Sequence, residues 1–348
     1  MSASRAMRVI MTRPLAASFS LLLALLLVAC DSSLATYRFG GYTMGTTYTV
    51  TLVDVDEALS DDLESKVAEY LVEINEVFST YLSESELSRL NRHPLREPLA
   101  ISEALFHVLS MSKAIHEHSG GAFDPTVMPL VNMWGFGPDR PSRLPDPDAI
   151  EAALAEVGFD GLVLDATRGT ATRERDIRVD LSAIAKGYGV DLLAELLEKH
   201  GVRHYMVDIG GELRVKGHNP RGEPWRIAIE SASGASSPAT IVALTDRSIA
   251  TSGDYRNYFE QDGKRFSHTI DPRSGYPIDH PVASVTVLAE TAALADGWAT
   301  ALSVVGADEA LMLADREDIA VFLLVKGPNG FESRFNNAFA VLLDTNGG

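Results

Sequence analysis

The sequence predicts a single mixed α and β domain, whether or not that domain divides into two lobes. Three observations support this fold class. The chain of 348 residues is 46% hydrophobic and 22% charged, so it can bury a substantial core. Strand-like runs alternate with amphipathic helical segments. The mature chain shows neither a linker between two domains nor a repeat with a period of roughly 20 to 50 residues.

The N-terminal segment differs from the rest of the chain. Arg5, Arg8 and Arg13 form a positive region without an acidic residue, and residues 15–29 are almost entirely apolar. This stretch is shorter than the roughly 20 apolar residues of a comfortable membrane-spanning helix, and it is typical of a secretory signal. We therefore predict a signal peptide over residues 1–29.

Cys30 is the only cysteine of the chain and directly follows Leu27-Val28-Ala29. This ending resembles the bacterial lipobox, in which the cysteine is acylated and becomes the first residue of the mature protein. The alternative is an uncleaved anchor that ends in an unmodified cysteine. We expect lipidation, with residues 30–36 forming the lipidated cysteine and a tether, because the position, the flanking residues and the uniqueness of Cys30 all agree. A multiply acylated cysteine would provide stable anchoring. An internal disulfide and a structural zinc–thiolate site are excluded.

Charge and anchoring together limit the partners of the protein. Asp31 after the cysteine resembles the signal that retains a lipoprotein at the cell inner membrane, on the periplasmic side. Removal of residues 1–29 takes away three arginines and changes the formal net charge from −18 to −21. Such an acidic surface repels phosphate backbones, so we expect no nucleic-acid partner. An anionic ligand would need a metal ion or a locally positive pocket.

The first half of the mature chain begins with a strand pattern. Residues 48–53 are rich in β-branched side chains and predict a strand. Apolar side chains recur at helical spacing over residues 58–78, and a second helix is predicted over residues 102–118, where two glycines follow. Four prolines make residues 137–148 a surface connection between elements.

The second half begins with a helix that Asp148 or a neighbour caps and that runs to Val157. Beyond it, strand-like runs surround two further helices, the second of which ends at Gly306. The predicted strands cover residues 161–165, 205–209, 225–230, 240–244, 266–270, 283–288 and 319–325, and the predicted helices cover residues 186–199 and 291–305.

Four segments are polar and contain glycine where a core segment would contain neither. They are residues 121–137, residues 179–188, residues 207–217, and a fourth that comprises residues 250–255, 267–275 and 295–300. In the last of these, Asp296 and Thr300 are four residues apart on a predicted helix and project from one face. A carboxylate and a hydroxyl so placed suit Mg²⁺, although a solvated polar stripe would show the same spacing.

Lys186 and His268 are further candidates for chemistry. Lys186 begins a predicted helix, where an ammonium group and free backbone N–H groups can bind phosphate, unless the side chain simply extends to solvent. His268 lies between a strand and a turn, and an imidazole can accept a proton near neutral pH. An ordinary surface histidine remains the alternative. His116 and His118 diverge on a helix and do not form a metal site.

Taken in order, these segments resemble the ApbE family, the FAD:protein FMN transferases. The resemblance implies largely antiparallel sheets with packed helices over residues 37–345. It rests on M-G-T at 44–46, S-T-Y at 79–81, S-E-L-S-R-L-N at 85–91, G-A-F-D-P-T-V at 121–127, D-L-S-A-I-A-K-G-Y at 180–188, D-I-G-G-E at 208–212, S-G-D-Y-R-N at 252–257, S-H-T-I-D-P-R-S-G at 267–275 and A-D-G-W-A-T-A-L at 295–302.

The resemblance also implies a role for particular residues. Mg²⁺ would be held by the backbone carbonyl of Ala183 and by the side chains of Asp296 and Thr300. His268 would be the catalytic base. The site for FAD, the substrate, would be lined by Met44, Ser79, Thr80, Tyr81, Asp124 and Lys186.

The implied reaction is protein flavinylation. The FMN half of FAD passes to the hydroxyl of a threonine or serine in a target flavoprotein, a phosphoester forms and AMP is released. Acceptors are expected among subunits of membrane redox pumps and related exported flavoproteins. Three alternatives stay open: an FAD pyrophosphatase that uses water and yields FMN and AMP, a non-catalytic flavin-binding lipoprotein, and a purely structural lipoprotein.

Overall fold

An eight-stranded sheet forms the centre of the protein in the computed structural model. Every neighbouring pair of its strands is antiparallel. In spatial order, the strands are β1 (Thr36–Thr43), β2 (Thr46–Val53), β6 (His204–Ile209), β7 (Glu212–Lys216), β10 (Arg247–Gly253), β13 (Val282–Ala289), β14 (Ala320–Gly327) and β15 (Gly330–Phe335).

Three smaller antiparallel sheets surround the central one. A three-stranded sheet has the order β3-β5-β4, and the other two sheets are hairpin-like pairs, β8-β9 and β11-β12. Their strands are β3 (Leu99–Ala100), β4 (Leu162–Asp165), β5 (Thr170–Arg173), β8 (Trp225–Ile229), β9 (Thr240–Leu244), β11 (Tyr258–Gln261) and β12 (Lys264–Ser267).

The helices pack mainly on one face of the central sheet. They are α1 (Glu57–Phe78), α2 (Glu86–Arg92), α3 (Glu103–His118), α4 (Met128–Met133), α5 (Pro147–Leu154), α6 (Ala185–Lys199), α7 (Ala292–Val304), α8 (Ala307–Arg316) and α9 (Asn337–Ala340).

Both faces of the central sheet are buried at its middle strands, and for this reason β14 is apolar from Ala320 to Val325. Val321 and Leu323 face the large core beneath the helices. Phe322 and Leu324 face a second core, which the β8-β9 pair and Phe339 of α9 complete. Side chains alternate between the faces of a strand, so a strand that is covered on both sides carries a continuous apolar run.

The described residues confirm the predicted mixture of helices with antiparallel sheets. Two predicted ends of elements are wrong. The helix α5 is capped by Asp146, the neighbour whose Oδ1 accepts the Ala149 N–H at 2.9 Å, but it ends at Leu154 and not at Val157. The strand expected over residues 266–270 ends at Ser267.

Several elements were not predicted from the sequence. They include the edge strand β1, the short helices α2 and α4, and the amphipathic helix α8. The strands β7, β10 and β15 were missed as well. Most of them are short or mix polar with apolar residues, so periodicity alone does not reveal them.

The structure describes residues 34–136, 144–231, 238–253, 258–261 and 263–343. The predicted signal peptide and Cys30 lie outside this part of the chain, as do portions of the proline-rich connection and of the S-G-D-Y-R-N motif. Across the described ranges, every helix is too short or too polar to span a lipid bilayer.

Candidate functional site

The helices α6 and α7 cross in close contact at Gly187. A Cβ atom on Gly187 would lie 2.2 Å from the carbonyl oxygen of Ala292, which is backbone and cannot rotate away. Asp191, one turn further along α6, accepts the N–H groups of Ala292 and Ala293 at 2.9 Å each. Gly187, which lacks a side chain, therefore permits the close crossing. The buried carboxylate of Asp191 fixes the position of α7 along α6.

Asp296 of α7 joins the start of α6 at this crossing. Its Oδ2 accepts the Gly187 N–H at 3.1 Å, and α6 has no side-chain cap from its own N-cap residue. The first N–H groups of a helix lack partners within the helix, so Asp296 serves as a cap from a second helix. Burial raises the pKa of the Asp296 carboxyl, against the lowering effect of Lys186 and of this hydrogen bond.

Lys186 lies between two buried carboxylates. Its Nζ is 3.0 Å from Glu212 Oε1 and 3.6 Å from Asp296 Oδ1. Burial, together with the charge of Asp296, raises the pKa of Glu212 to about 8, although the ion pair with Lys186 lowers it. For Lys186, burial favours the neutral amine, but the charges of Asp296 and Glu212 outweigh this effect and raise its pKa. The ammonium form is thus held in place.

The backbone carbonyl of Ala183 lies just before α6 and outside its hydrogen-bonding pattern. The carbonyl of the next residue, Ile184, accepts the first helical bond from the Tyr188 N–H at 3.0 Å. The Gly187 N–H, one residue earlier, donates to Asp296. Among the described residues, no backbone N–H outside the helices and strands donates to the Ala183 oxygen, which can therefore accept another partner.

A cavity of about 310 Å³ adjoins the crossing. Four of the predicted site residues line it: Asp124, Ala183, His268 and Thr300. Asp296 lies one helical turn from Thr300 on the same face of α7. The volume is at the small end of the range of roughly 300 to 1,000 Å³ for ligand sites, so it matches one portion of a dinucleotide.

His268 follows directly after β12 and also lines the cavity. Aromatic side chains hold this region: Phe266 stacks on Trp134 with ring centroids 5.6 Å apart, and Phe136 contacts the His268 ring at 6.3 Å. The Trp134 Nε1–H donates to the Gly275 carbonyl at 2.8 Å. The imidazole therefore packs beside the Phe136 ring and lines the cavity.

Asp124 lines the cavity, yet its carboxylate already has protein partners. Its Oδ1 accepts the N–H and the hydroxyl of Thr126 at 2.8 and 2.6 Å, and its Oδ2 accepts the Phe159 N–H at 3.2 Å. In this arrangement the side chain organises the loop that forms one wall. Direct contact between Asp124 and FAD stays a prediction.

The remaining predicted FAD residues lie on the other side of α6. Met44 occupies a tight hairpin turn with a φ of 50°, and its Sδ is 3.5 Å from the position of a Cβ on Gly189. The Asn75 amide donates to Thr43 Oγ1 at 2.9 Å, which brings the end of α1 beside this turn. The segment of Ser79, Thr80 and Tyr81 follows α1 there.

Ser79 and Tyr81 differ in their surroundings. The Ser79 hydroxyl accepts the N–H groups of Tyr81 and Leu82, both at 3.2 Å, so it shapes the loop. The Tyr81 ring is 95% exposed and is free to cover a ligand. The first turns of α6 lie between the segment of Ser79 and Tyr81 and the cavity. An extended ligand that reaches both would pass along these turns.

The donor set at the crossing fits a hard divalent cation. A carboxylate, a hydroxyl and a backbone carbonyl are all oxygen ligands, which Mg²⁺ prefers, and water and phosphate oxygens would complete its octahedron. The described residues contain no group of three or more His, Cys, Asp or Glu side chains that could hold a metal. The predicted site needs only one such residue, Asp296.

Size alone does not identify the site. A larger cleft, of about 410 Å³, lies on the other side of the segment that follows β12 and is lined by Ser267, His280 and Lys326 among others. None of the predicted site residues lines it. We assign the site to the smaller cavity because Asp124, Ala183, His268 and Thr300 line it and because it adjoins the crossing that carries Asp296.

Sequence reasoning missed two residues of the crossing. Glu212 lies in the D-I-G-G-E motif and Asp191 lies in the predicted helix over residues 186–199, but the sequence alone indicates no role for either residue. Both are buried carboxylates. A charged residue in the middle of an amphipathic helix or at the start of a strand gives no local signal of burial, because burial depends on the packing of distant elements.

Comparison with known proteins identifies the relatives of this chain. Residues 44–323 match the ApbE family. The FAD:protein FMN transferase of Haemophilus influenzae is 43% identical over 332 residues, which cover 93% of this chain and 96% of that protein. The transferase of Vibrio cholerae is 43% identical over 325 residues, covering 92% and 96%.

Solved structures agree with this assignment. The flavin transferase ApbE from Vibrio cholerae has a TM-score of 0.82 and 41% identity, and the match covers 89% of this chain and all of that one. The apo form of the Pseudomonas stutzeri flavinyl transferase ApbE has a TM-score of 0.81 and 40% identity, with coverage of 89% and 97%.

Proposed function

The chain belongs to the ApbE family, and on this premise we propose that it is an enzyme that transfers the FMN part of FAD to a hydroxyl group of a target flavoprotein. One observation supports the details above all others. Ala183, Thr300 and His268 line the same cavity, and Asp296, one helical turn from Thr300, accepts the Gly187 N–H at the crossing of α6 and α7.

The residues of the crossing would prepare the diphosphate of FAD for displacement. A divalent metal such as Mg²⁺, held by Ala183, Asp296 and Thr300, would supply neutralisation of charge on the phosphoryl oxygens. Lys186 adds a fixed positive charge to the same region, because burial strengthens its field and its ammonium form is held by two carboxylates. Met44 and Tyr81 would support the part of FAD that extends beyond the cavity.

His268 would act on the nucleophile. The hydroxyl of an acceptor threonine or serine attacks the phosphorus of the FMN half, and His268 takes the proton of that hydroxyl as the new O–P bond forms. The bond between this phosphorus and the bridging oxygen breaks, and AMP leaves with the electron pair. The acceptor then carries FMN as a phosphoester.

Transfer and hydrolysis are separated by one experiment. The purified protein is incubated with FAD, Mg²⁺ and a candidate acceptor, a subunit of a membrane redox pump, and the products are run on a denaturing gel. We expect flavin fluorescence on the acceptor band and its loss when a chelator removes the metal. FMN and AMP in solution without a labelled acceptor would instead identify an FAD pyrophosphatase.

We also propose that the enzyme is anchored by a lipid on Cys30 to the periplasmic side of the inner membrane. The support is the N-terminal pattern of arginines, an apolar stretch and a single cysteine. An anchor places the enzyme on the same surface as membrane-bound acceptors and raises their effective concentration. Labelled palmitate should be incorporated into the wild-type protein and not into the Cys30→Ser variant. When the signal peptide of this variant is removed by a route that does not need Cys30, the variant should appear in the soluble fraction.

A further inference from the structure

Two carboxylates share one ammonium group at the crossing of α6 and α7. Lys186 Nζ lies within hydrogen-bond distance of Glu212 Oε1, at 3.0 Å, whereas its distance to Asp296 Oδ1 is longer, at 3.6 Å. The other oxygen of Asp296, Oδ2, accepts the Gly187 N–H. Asp296 Oδ1 is therefore the less firmly bonded oxygen of that carboxylate.

A lysine beside a metal-binding carboxylate opposes metal binding. Its ammonium group repels a divalent cation and competes with it for the same oxygen. If Glu212 were absent, Asp296 would be the only acid among the described residues that pairs with Lys186 Nζ. A shift of about half an ångström would then close a direct hydrogen bond to Asp296 Oδ1. Glu212 removes this competition because it binds the ammonium first.

Glu212 is itself held where it can do this. It begins β7 directly after Gly210 and Gly211, both of which have positive φ values, and Asp208 accepts the Gly211 N–H at 2.9 Å. Its Oε2 is buried and has no hydrogen-bond partner among the described residues. A buried carboxylate with an unsatisfied oxygen costs stability, so it calls for a functional explanation.

We infer that Glu212 is a positioning residue for the metal site: it holds Lys186 away from Asp296 Oδ1 and leaves that oxygen to the cation. The inference rests on the proposed function, since it presumes that Asp296 binds the metal. It concerns the affinity for the cation and not the proton transfer at His268. Partners of this kind, one shell out from a metal, typically change metal affinity by roughly 10- to 100-fold.

The test measures cation binding without turnover. Mn²⁺ replaces Mg²⁺ and is titrated by electron paramagnetic resonance in the presence of excess ADP, which offers a diphosphate but no FMN to transfer. We expect Glu212→Gln to weaken Mn²⁺ binding by roughly 10-fold or more. Glu198→Gln is the matched control, because Glu198 pairs with Lys216 of β7 at 2.7 Å but lies outside the site, and its Mn²⁺ affinity should equal that of the wild type.

Two further variants separate positioning from simple loss of negative charge. Glu212→Asp keeps the charge but draws the carboxylate back by one methylene, so it should weaken Mn²⁺ binding several-fold. In a Lys186→Met background, Glu212→Gln should have a much smaller effect than in the wild type, because no ammonium group remains to be held. Wild-type affinity in Glu212→Asp, or an equal effect of Glu212→Gln in both backgrounds, would overturn the inference.

Stability and activity complete the separation. Without metal, the melting temperature of Glu212→Gln should equal or exceed that of the wild type, because Asp296 still pairs with Lys186 and a buried carboxylate with an unpartnered oxygen is removed. A lower melting temperature with unchanged Mn²⁺ affinity would assign Glu212 a merely structural role. In that case the proposed function would still stand if the wild type labels its acceptor, whereas a wild type that labels no acceptor would refute the proposed function itself.

Discussion

The two walls of the candidate site are built in different ways. One wall, formed by Ala183 and Thr300, adjoins the crossing of α6 and α7, where Asp191, Asp296 and Lys186 are ionic groups with partners within the protein. The other wall carries His268 on a segment beside a two-stranded sheet outside the central one, and aromatic stacking between Trp134 and Phe266 supports it.

This difference follows from what each wall must meet. A metal ion that neutralises a diphosphate is most effective when its ligands are fixed in a region that excludes water, because no reorganisation is then needed during the reaction. A base that serves a protein acceptor must be reachable by a second macromolecule, and His268 is only half-buried. The crossing thus provides electrostatics, and the His268 wall provides access.

The largest expected effect is on activity, and it distinguishes the role of the His268 wall from that of the crossing. His268→Asn should lower FMN transfer to the acceptor by roughly 10²- to 10⁴-fold, because a general base is lost. Binding of FAD, followed by quenching of flavin fluorescence, should stay within about twofold of the wild type, since the crossing is intact. Loss of FAD binding together with transfer would mean that His268 belongs to the binding wall and that the comparison is wrong.

The next effect concerns the stability of the crossing. Asp191→Ala should lower the free energy of unfolding by roughly 3 kcal/mol, since it leaves Arg214 and the N–H groups of Ala292 and Ala293 without their buried partner. Urea unfolding monitored by circular dichroism measures this loss. Asp191→Asn, which keeps one acceptor oxygen, should lose less. A wild-type midpoint for Asp191→Ala would show that packing alone fixes the crossing.

Gly187 offers a sharper probe of the same contact. Gly187→Ala should lower the free energy of unfolding by roughly 1 to 3 kcal/mol, because the added Cβ meets the backbone of Ala292 and Ala293 and the helices must move apart. Gly189→Ala is the matched control on the same helix. Its added Cβ meets the side chains of Ile209 and Met44, which can shift, so its midpoint should change little or rise through better helix propensity. Equal destabilisation of both variants would contradict a special contact at Gly187.

The sequence predicted the placement of Asp296 and Thr300, the expected metal ligands, better than the contacts around them. Asp296 and Thr300 could be placed on one helical face because helical spacing alone decides that. The contacts of Lys186 with Glu212, and of Asp191 with the start of α7, join residues that are 26 and 101 positions apart or more. No local pattern encodes such contacts, since they arise only when β7 and α7 pack against α6.

The strand boundaries show the same limit on the other wall. Residues 266–270 have a strand-like composition, yet β12 ends at Ser267, whose hydroxyl accepts the Thr269 N–H at 3.1 Å. This side-chain bond turns the backbone and competes with strand pairing. The turn brings His268 to the cavity, so the departure from the predicted strand occurs at a candidate functional residue.

The smallest expected effect tests whether aromatic packing is enough to hold His268. Trp134→Phe preserves an aromatic ring against Phe266 but removes the donor to the Gly275 carbonyl. We expect a loss of about 1 kcal/mol in unfolding free energy, the usual net value of one buried hydrogen bond. If the wall is held mainly by stacking, the KM for the acceptor protein should change by less than about threefold, since the imidazole keeps its place. A larger rise in this KM, with FAD affinity unchanged, would show that the hydrogen bond to Gly275 positions His268, and the two walls would then share a reliance on specific polar contacts.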